Sequence, residues 1–335
     1  MRIAIIGSPA FDSLEYNLNE SFNHIGHECQ IFDIYSSWRY NQPKLKSITR
    51  TLNVLGRRYS ENYDEKVFMC LTKNVLDFKP DLVIGVYRFI HPLLVKKIKK
   101  EGIRIIHINP DALTTFELQQ LFVESYDVYF TKDPYMFRFM KDNMKLNVKL
   151  YCEAFNTRIH IKPAIRKEEA EQICNIDVLA FGNLYPYRNR MLACLKERGI
   201  SLSLYGTKSR YFLSELTDCF RNKYIAGREK SEILYGAKIV FNNLHFAEIE
   251  SVNNKFFEVN GSGAFQLCDY RPILKELLPV DPELVSFKNI DEAAEKIKYY
   301  LNHSEERFEI SERIYQHFLG KYNYDQLTSY VLSSL

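Results

Sequence analysis

The chain carries little net charge: 45 Lys and Arg stand against 42 Asp and Glu in 335 residues, a formal +3. A dedicated nucleic-acid binder needs a concentrated basic surface to neutralise phosphates, so that class is not indicated. Taken by halves the asymmetry stays slight, with 22 basic and 18 acidic residues in 1–160 and 23 and 24 in the remainder. The seven cysteines are odd in number, scattered, and never spaced C-x-x-C. They argue against a zinc site and a disulfide framework, and for small buried side chains in a reducing compartment. The N-terminal apolar run stops at Gly7, too short to span a bilayer and without a signal-cleavage pattern. A cytoplasmic location is expected, with contact at the inner face of a membrane as an open alternative.

Two further absences narrow the chemistry. The loop after the first apolar run, Gly7-Ser8-Pro9-Ala10, lacks the second and third glycines of a dinucleotide fingerprint, which disfavours a nicotinamide-dependent dehydrogenase. No D-x-D triplet occurs, so the two-carboxylate device for a divalent ion is missing.

What is present is a pattern of short β-branched runs alternating with helical periodicity, the signature of parallel strands joined by crossover helices. Strands are expected at Arg2–Ile6, Glu28–Ile34, Asp81–Val86, Ile103–Ile108, Asp127–Thr131 and Val148–Ala154. Several are almost wholly apolar, as strands covered on both faces should be. A helix is expected over Asp64–Phe78, where Val67, Phe68, Leu71, Val75 and Leu76 recur at helical spacing.

After a polar segment at Arg158–Glu171 the pattern restarts. Strands are expected at Ile176–Phe181, Ser201–Tyr205, Ile239–Asn242 and Ala264–Cys268, and helices at Arg188–Arg198, Ser209–Arg221, Lys255–Asn260 and Ile290–His303. The expected fold class is α/β with two Rossmann-like domains, 1–157 and 172–310, whose parallel sheets face an interdomain cleft. A helical segment, 311–335, either extends the second domain or crosses back to the first. In such sheets ligands bind at the carboxyl ends of strands, which directs attention to the loops there.

The run ESVNNKFFEVNGSGAFQLCDY holds the chain's best functional clue. Glu250 and Glu258 are separated by seven residues, and a small-residue turn, Gly261–Ala264, follows. A carboxylate near a helix start can accept hydrogen bonds from a diol while the first-turn amides take phosphate, a pairing suited to a sugar nucleotide. In FGNLYPYRNRML, Gly182 permits a sharp turn, and Arg188 and Arg190 lie near the next helix start, where a guanidinium can add to the field holding a diphosphate. Tyr185 belongs to the same loop.

FGNLYPYRNRML, LYGTK at 204–208, YGAKIVFNNLH at 235–245, VNNKFFEVNGSGAFQLCDYR at 252–271 and IDEAAEKIKYYLNHSEERFEIS at 290–311 follow one another in a characteristic order. Together they resemble the C-terminal domain of GT-B-fold glycosyltransferases, particularly CgeB-like and related bacterial family 1 and family 4-type enzymes. The first half is similar only in strand pattern and in INPD and YDVYFTKD, 108–111 and 126–133.

The resemblance implies a nucleotide-sugar donor as substrate and a glycan, protein or lipid-linked acceptor, with no cofactor and no metal. It implies that Glu258 binds the ribose hydroxyls, that Lys255 with Asn254 before it meets the diphosphate, and that Glu250 contacts the donor sugar. Gly263, in the small-residue turn, would lie near the ribose and phosphates. Tyr205 and Gly206, with the Tyr224–Gly227 region, occupy strand ends where such enzymes hold the base, and His245 lies beside the donor. The sequence departs from the family where SVNNKFF replaces a glycine-rich loop and Val259-Asn260 replaces a small pair.

An acceptor-activating base is expected from the first domain, with Asp111 best placed and Asp12 and His91 as alternatives; helix capping is the competing role for Asp111. Residues 43–58, PKLKSITRTLNVLGRR, combine basic residues with Leu45, Ile48, Leu52 and Leu55 at near-helical spacing, a pattern for a surface helix or for an anionic membrane surface. Two other functions share this architecture: a non-catalytic binding or assembly protein, and a sugar-nucleotide epimerase.

Overall fold

A computed structural model describes residues 1–38, 46–87, 89–111 and 120–335. The chain divides into two compact units, Met1–Tyr151 with Thr328–Leu335, and Cys152–Leu327.

The first unit is a six-stranded parallel sheet of β1 (Arg2–Ile6), β2 (Glu28–Phe32), β3 (Leu82–Gly85), β4 (Arg104–Asn109), β5 (Val128–Thr131) and β6 (Val148–Leu150), in the order β2-β1-β3-β4-β5-β6. Ile3 to Ile6 and Leu82 to Ile84 are wholly buried, because helices cover both faces of the central strands. Those helices are α1 (Leu14–His24), α2 (Lys46–Tyr59), α3 (Glu61–Asp77), α4 (Pro92–Lys100) and α5 (Pro134–Arg138). Ser13, Ser60, His91 and Asp133 cap α1, α3, α4 and α5 by accepting first-turn amide hydrogens. Of the residues read as periodic on α3, Val67, Phe68, Leu71 and Val75 are buried and Leu76 is half-buried against the same core. The last residues of the chain complete this unit: the Tyr330 hydroxyl donates to the Leu150 carbonyl, and its ring meets Phe130 edge-on at 6.2 Å.

The second unit is a five-stranded parallel sheet, β11-β10-β9-β7-β8, of β7 (Ile176–Leu184), β8 (Leu202–Lys208), β9 (Ala237–Asn242), β10 (Gln266–Asp269) and β11 (Ser286–Phe287). Its helices are α6 (Lys167–Cys174), α7 (Pro186–Glu197), α8 (Gly227–Gly236), α9 (Asn254–Gly261), α10 (Leu274–Leu277), α11 (Pro282–Val285), α12 (Ile290–Leu301) and α13 (Ser304–Lys321); α14 (Tyr324–Ser333) begins in this unit and belongs to the first from Thr328 onward. Aromatic packing closes the core, with Phe241 stacked on Phe287 at 5.1 Å and Phe318 against Phe256, Phe257 and Tyr322.

Two segments differ from expectation. Ser209–Arg221 forms no α-helix, only a 3-10 turn at Ser214–Cys219. Its backbone partners lie on the neighbouring strand: Leu204 bridges Phe220, and the Arg221 amide donates to the Leu204 carbonyl at 2.9 Å. The polar join at 158–171 contains the start of α6, where buried Glu171 accepts both terminal nitrogens of Arg307 at 2.6 and 3.0 Å. Polarity there marks a buried ion pair closed over a long sequence separation, which no local pattern discloses.

Candidate active site

The second unit gathers most of the sequence-derived candidates at the carboxyl ends of β7, β8 and β9. Gly182 and Gly206 are register partners on adjacent strands, with φ of +98° and +117°. A methyl group on Gly206 would collide with the Gly182 carbonyl, and one on Gly182 would stand 2.6 Å from the Lys255 ammonium. Glycine is therefore required at both, for its backbone angles and for close approach. Gly182→Ala is expected to cost about 1–3 kcal/mol of stability and to push Lys255 aside. Chemical denaturation checks the first effect and nucleotide titration the second; an unchanged midpoint with unchanged affinity would contradict both.

Helix α9 carries Lys255 and Glu258. Its start is fixed by Asn253, whose side chain accepts the Phe256 amide hydrogen at 3.1 Å. Asn253 also exchanges hydrogen bonds with Asn242 at the end of β9, both 3.0 Å, and Asn242 donates to Gln266 on β10 at 2.8 Å. This amide network locks the helix onto two strand ends, so side chains on its first turns are held in place. Asn254 and Lys255 are its first two residues, whereas Glu258 lies a full turn further in and Glu250 precedes the helix altogether. Neither carboxylate is at the helix start. The spacing of seven spans a loop plus one turn of helix.

The Glu258 side chain is buried and well held. One oxygen lies 3.0 Å from the Lys230 ammonium on α8, and the other accepts from the Asn254 amide at 2.8 Å, with His160 Nε2 at 3.9 Å. The other amide atom of Asn254, its Oδ1, is buried and has no hydrogen-bond partner among the described residues.

Lys255 is placed differently. It is only partly exposed, donates one hydrogen bond to the Phe181 carbonyl at 2.7 Å and lies 5.1 Å over the Phe181 ring. Among the described residues it forms no ion pair. Burial, reinforced by the nearby Arg188 and Lys230 charges and opposed by Glu258, holds its pKa well below the ordinary lysine value. A cation desolvated beside two others, with no carboxylate of its own, is the electrostatic imprint of an anion site.

Arg188, third residue of α7, is buried. Its guanidinium donates to the Asn243 side chain at 2.9 Å and to the main-chain carbonyls of Asn243, Asn183 and Phe181 at 3.0, 3.0 and 3.4 Å. The side chain therefore clamps the β7 and β9 loops together, and burial lowers its pKa. Arg190 points outward, 3.9 Å from Glu215. Tyr185, exposed, sits at the N-cap of α7, its hydroxyl accepting from Asn183 at 3.1 Å. His245 Nδ1 accepts the Ala247 amide hydrogen at 3.1 Å, which leaves the proton of the neutral ring on Nε2, and its ring packs between Tyr185, Tyr187 and Phe246. Tyr205 is partly buried beside Gly206, whose amide donates to the Lys223 carbonyl at 2.7 Å. Gly263 has φ +73° and closes the turn after α9.

In the first unit, His91 caps α4 through Nδ1 and packs against Phe68 and Phe89, which accounts for it structurally. Asp12 lies in the loop after β1 with φ +65°, and Asn17 donates to it at 3.4 Å. Asp111 follows β4, where its carbonyl accepts from Asn109; the residues that would show whether it caps a helix, 112–119, lie outside those described. Sequence reasoning missed Lys230 and His160; Asn243 opens the strand-end loop Asn243–Glu250 to which it pointed, but its hold on Arg188 had no sequence signal. Lys230 sits among the charges of α8, a helix that was not expected, and nothing local distinguishes it from a solvated lysine.

Residues 188–333 match the family model described as "Glycosyl transferase-like". No curated protein sequence matches the chain. Among solved structures, sucrose-phosphate synthase from Thermosynechococcus elongatus superposes with a TM-score of 0.72 at 12% identity, covering 99% of this chain and 98% of that one. Anabaena HepE, in complex with UDP and glucose, gives 0.68 at 12% identity and full coverage of both chains. A glycosyltransferase from Rickettsia africae gives 0.63 at 10% identity, covering 99% and 97%. The chain thus has the GT-B fold, two parallel-sheet units, and its second half carries a glycosyl transferase-like domain.

Proposed function

We propose that the protein is a glycosyltransferase that moves a sugar from a nucleoside-diphosphate donor to a glycan, protein or lipid-linked acceptor without a metal ion. The observation that carries this reading is Lys255, a desolvated cation without a carboxylate partner, one turn of α9 away from the anchored carboxylate of Glu258. Glu258 and the unpartnered Asn254 oxygen offer adjacent acceptors for the two hydroxyls of a ribose. Lys255 then faces the diphosphate. As the glycosidic bond to phosphate breaks, its electron pair collects on the departing diphosphate oxygen, and a preorganised ammonium stabilises that charge in the transition state. The acceptor hydroxyl forms the new bond and gives its proton to a base, for which Asp111 remains the first-unit candidate. Glu250, on the loop before α9, is assigned to the donor sugar.

A chelator should leave turnover unchanged, since Lys255 supplies the charge that a divalent ion would otherwise bring. Nucleotide binding should also take up protons. The free enzyme holds Lys255 below its ordinary pKa, and a bound diphosphate raises it, so between those two values binding is coupled to protonation and weakens as pH rises. Calorimetry with UDP and GDP, in buffers of different ionisation enthalpy, measures the uptake. A heat independent of buffer at alkaline pH would remove Lys255 from the site.

Conversion of free donor is the second reading. UDP-GlcNAc 2-epimerase from Neisseria meningitidis superposes over 100% of this chain with a TM-score of 0.55 at 12% identity. Product analysis without acceptor separates the two: interconverted donor marks an epimerase, whereas transfer requires acceptor.

A further inference from the structure

We infer that α2 is a docking face for an anionic lipid surface. Ile48, Leu52, Leu55 and Tyr59 recur at spacings of four, three and four, so they form one narrow stripe along the helix. All four are exposed, by 57, 53, 45 and 76%. The inward positions are polar instead: Thr49 and Asn53 are buried, and Asn53 accepts from the Tyr63 hydroxyl and donates to the Thr49 carbonyl. A surface helix ordinarily turns its apolar stripe to the core. Here the stripe is left exposed.

Charge selects the occupant. Between Asp33 and Glu61 the sequence holds Arg39, Lys44, Lys46, Arg50, Arg57 and Arg58 and no carboxylate, whereas the whole chain has a formal charge of only +3. Arg57 is taken by Asp64; Arg58 is exposed on the flank of the stripe, while Arg50, two residues from Ile48 and Leu52, is exposed on the other side of the helix over the Tyr35 ring. A second copy of the chain docking through the same face would bring two such cationic segments together, which repel. An anionic bilayer instead attracts basic residues and accepts the apolar stripe between its headgroups, the arrangement of an interfacial helix lying in the membrane plane. The inference does not depend on the glycosyl-transfer reading, because the helix belongs to the first unit and the binding assay involves no sugar.

The full chain should co-sediment with mixed phosphatidylcholine–phosphatidylglycerol vesicles, be released by high salt, and stay in solution with pure phosphatidylcholine. Leu52→Glu with Leu55→Glu should abolish sedimentation while thermal unfolding is unchanged, since both positions are exposed. Should that pair disturb folding, Arg58→Ala provides the same test by charge alone, with an expected loss of about fivefold in partitioning. Equal binding to both vesicle types, no binding to either, or a wild-type dimer that dissociates in the Leu52→Glu, Leu55→Glu variant would each overturn the inference.

Discussion

Replacing Lys255 by methionine is expected to lower turnover about 10²–10³-fold, the loss typical of removing one preorganised donor from a developing oxyanion. Methionine keeps the length and the apolar stem over Phe181 but cannot donate to the Phe181 carbonyl or face a phosphate. Stability should change little or rise, because the ammonium is held below its ordinary pKa and so costs free energy when charged in the folded state. That cost is fully present at pH below the lowered value and is relieved as pH rises from it towards the ordinary lysine range, so the stability advantage of the methionine variant should shrink as pH rises. Steady-state kinetics with denaturant unfolding at two pH values separates the effects. Wild-type turnover in a folded Lys255→Met protein would refute the assignment; a folded, inactive variant that still binds nucleoside diphosphate with full affinity would move Lys255 from binding to transition-state stabilisation alone.

Glu258→Ala should be the most destabilising substitution in the second unit's site, by about 3–5 kcal/mol, because it deletes the carboxylate of a buried ion pair and leaves Lys230 facing a void. Glu258→Gln keeps shape and hydrogen bonding and should retain the fold. It should nonetheless weaken nucleotide binding about 10–100-fold, since a hydrogen bond to a charged acceptor is worth about 1.5–3 kcal/mol. Removing the opposing charge as well, with Lys230→Met in the Glu258→Gln background, should recover stability but not affinity. Calorimetry with UDP and GDP and a denaturant titration on the three variants are sufficient. Full affinity in Glu258→Gln would show that the carboxylate is a structural anchor for α8 and α9 and touches no ribose.

Much of the fold is legible locally. The strands β1, β3 and β9 hold short apolar runs, Ile3–Ile6, Leu82–Ile84 and Ile239–Phe241, and α3 announces its buried face through spacing, because burial on one side of a helix or both sides of a strand leaves a direct trace in residue order. The segment at 209–221 carries helical spacing too, yet β8 offers its backbone better partners and it stays irregular. The amide network of Asn242, Asn253 and Gln266 leaves no pattern, since its members come from three elements and each resembles a loop residue.

Residue order alone established the alternation of strands and helices, the two glutamates seven apart, the glycines at strand ends and the basic amphipathic run. Tertiary structure decided what each charge does. Arg188 and Lys255 look alike as cations near helix starts, but the first has its donors taken by carbonyls and the second has a single backbone bond. Likewise the stripe on α2 was readable, while its outward direction was not. Periodicity reports which residues share a face; which partner that face meets, and whether a buried charge is neutralised, depends on groups that only folding brings within a few ångströms.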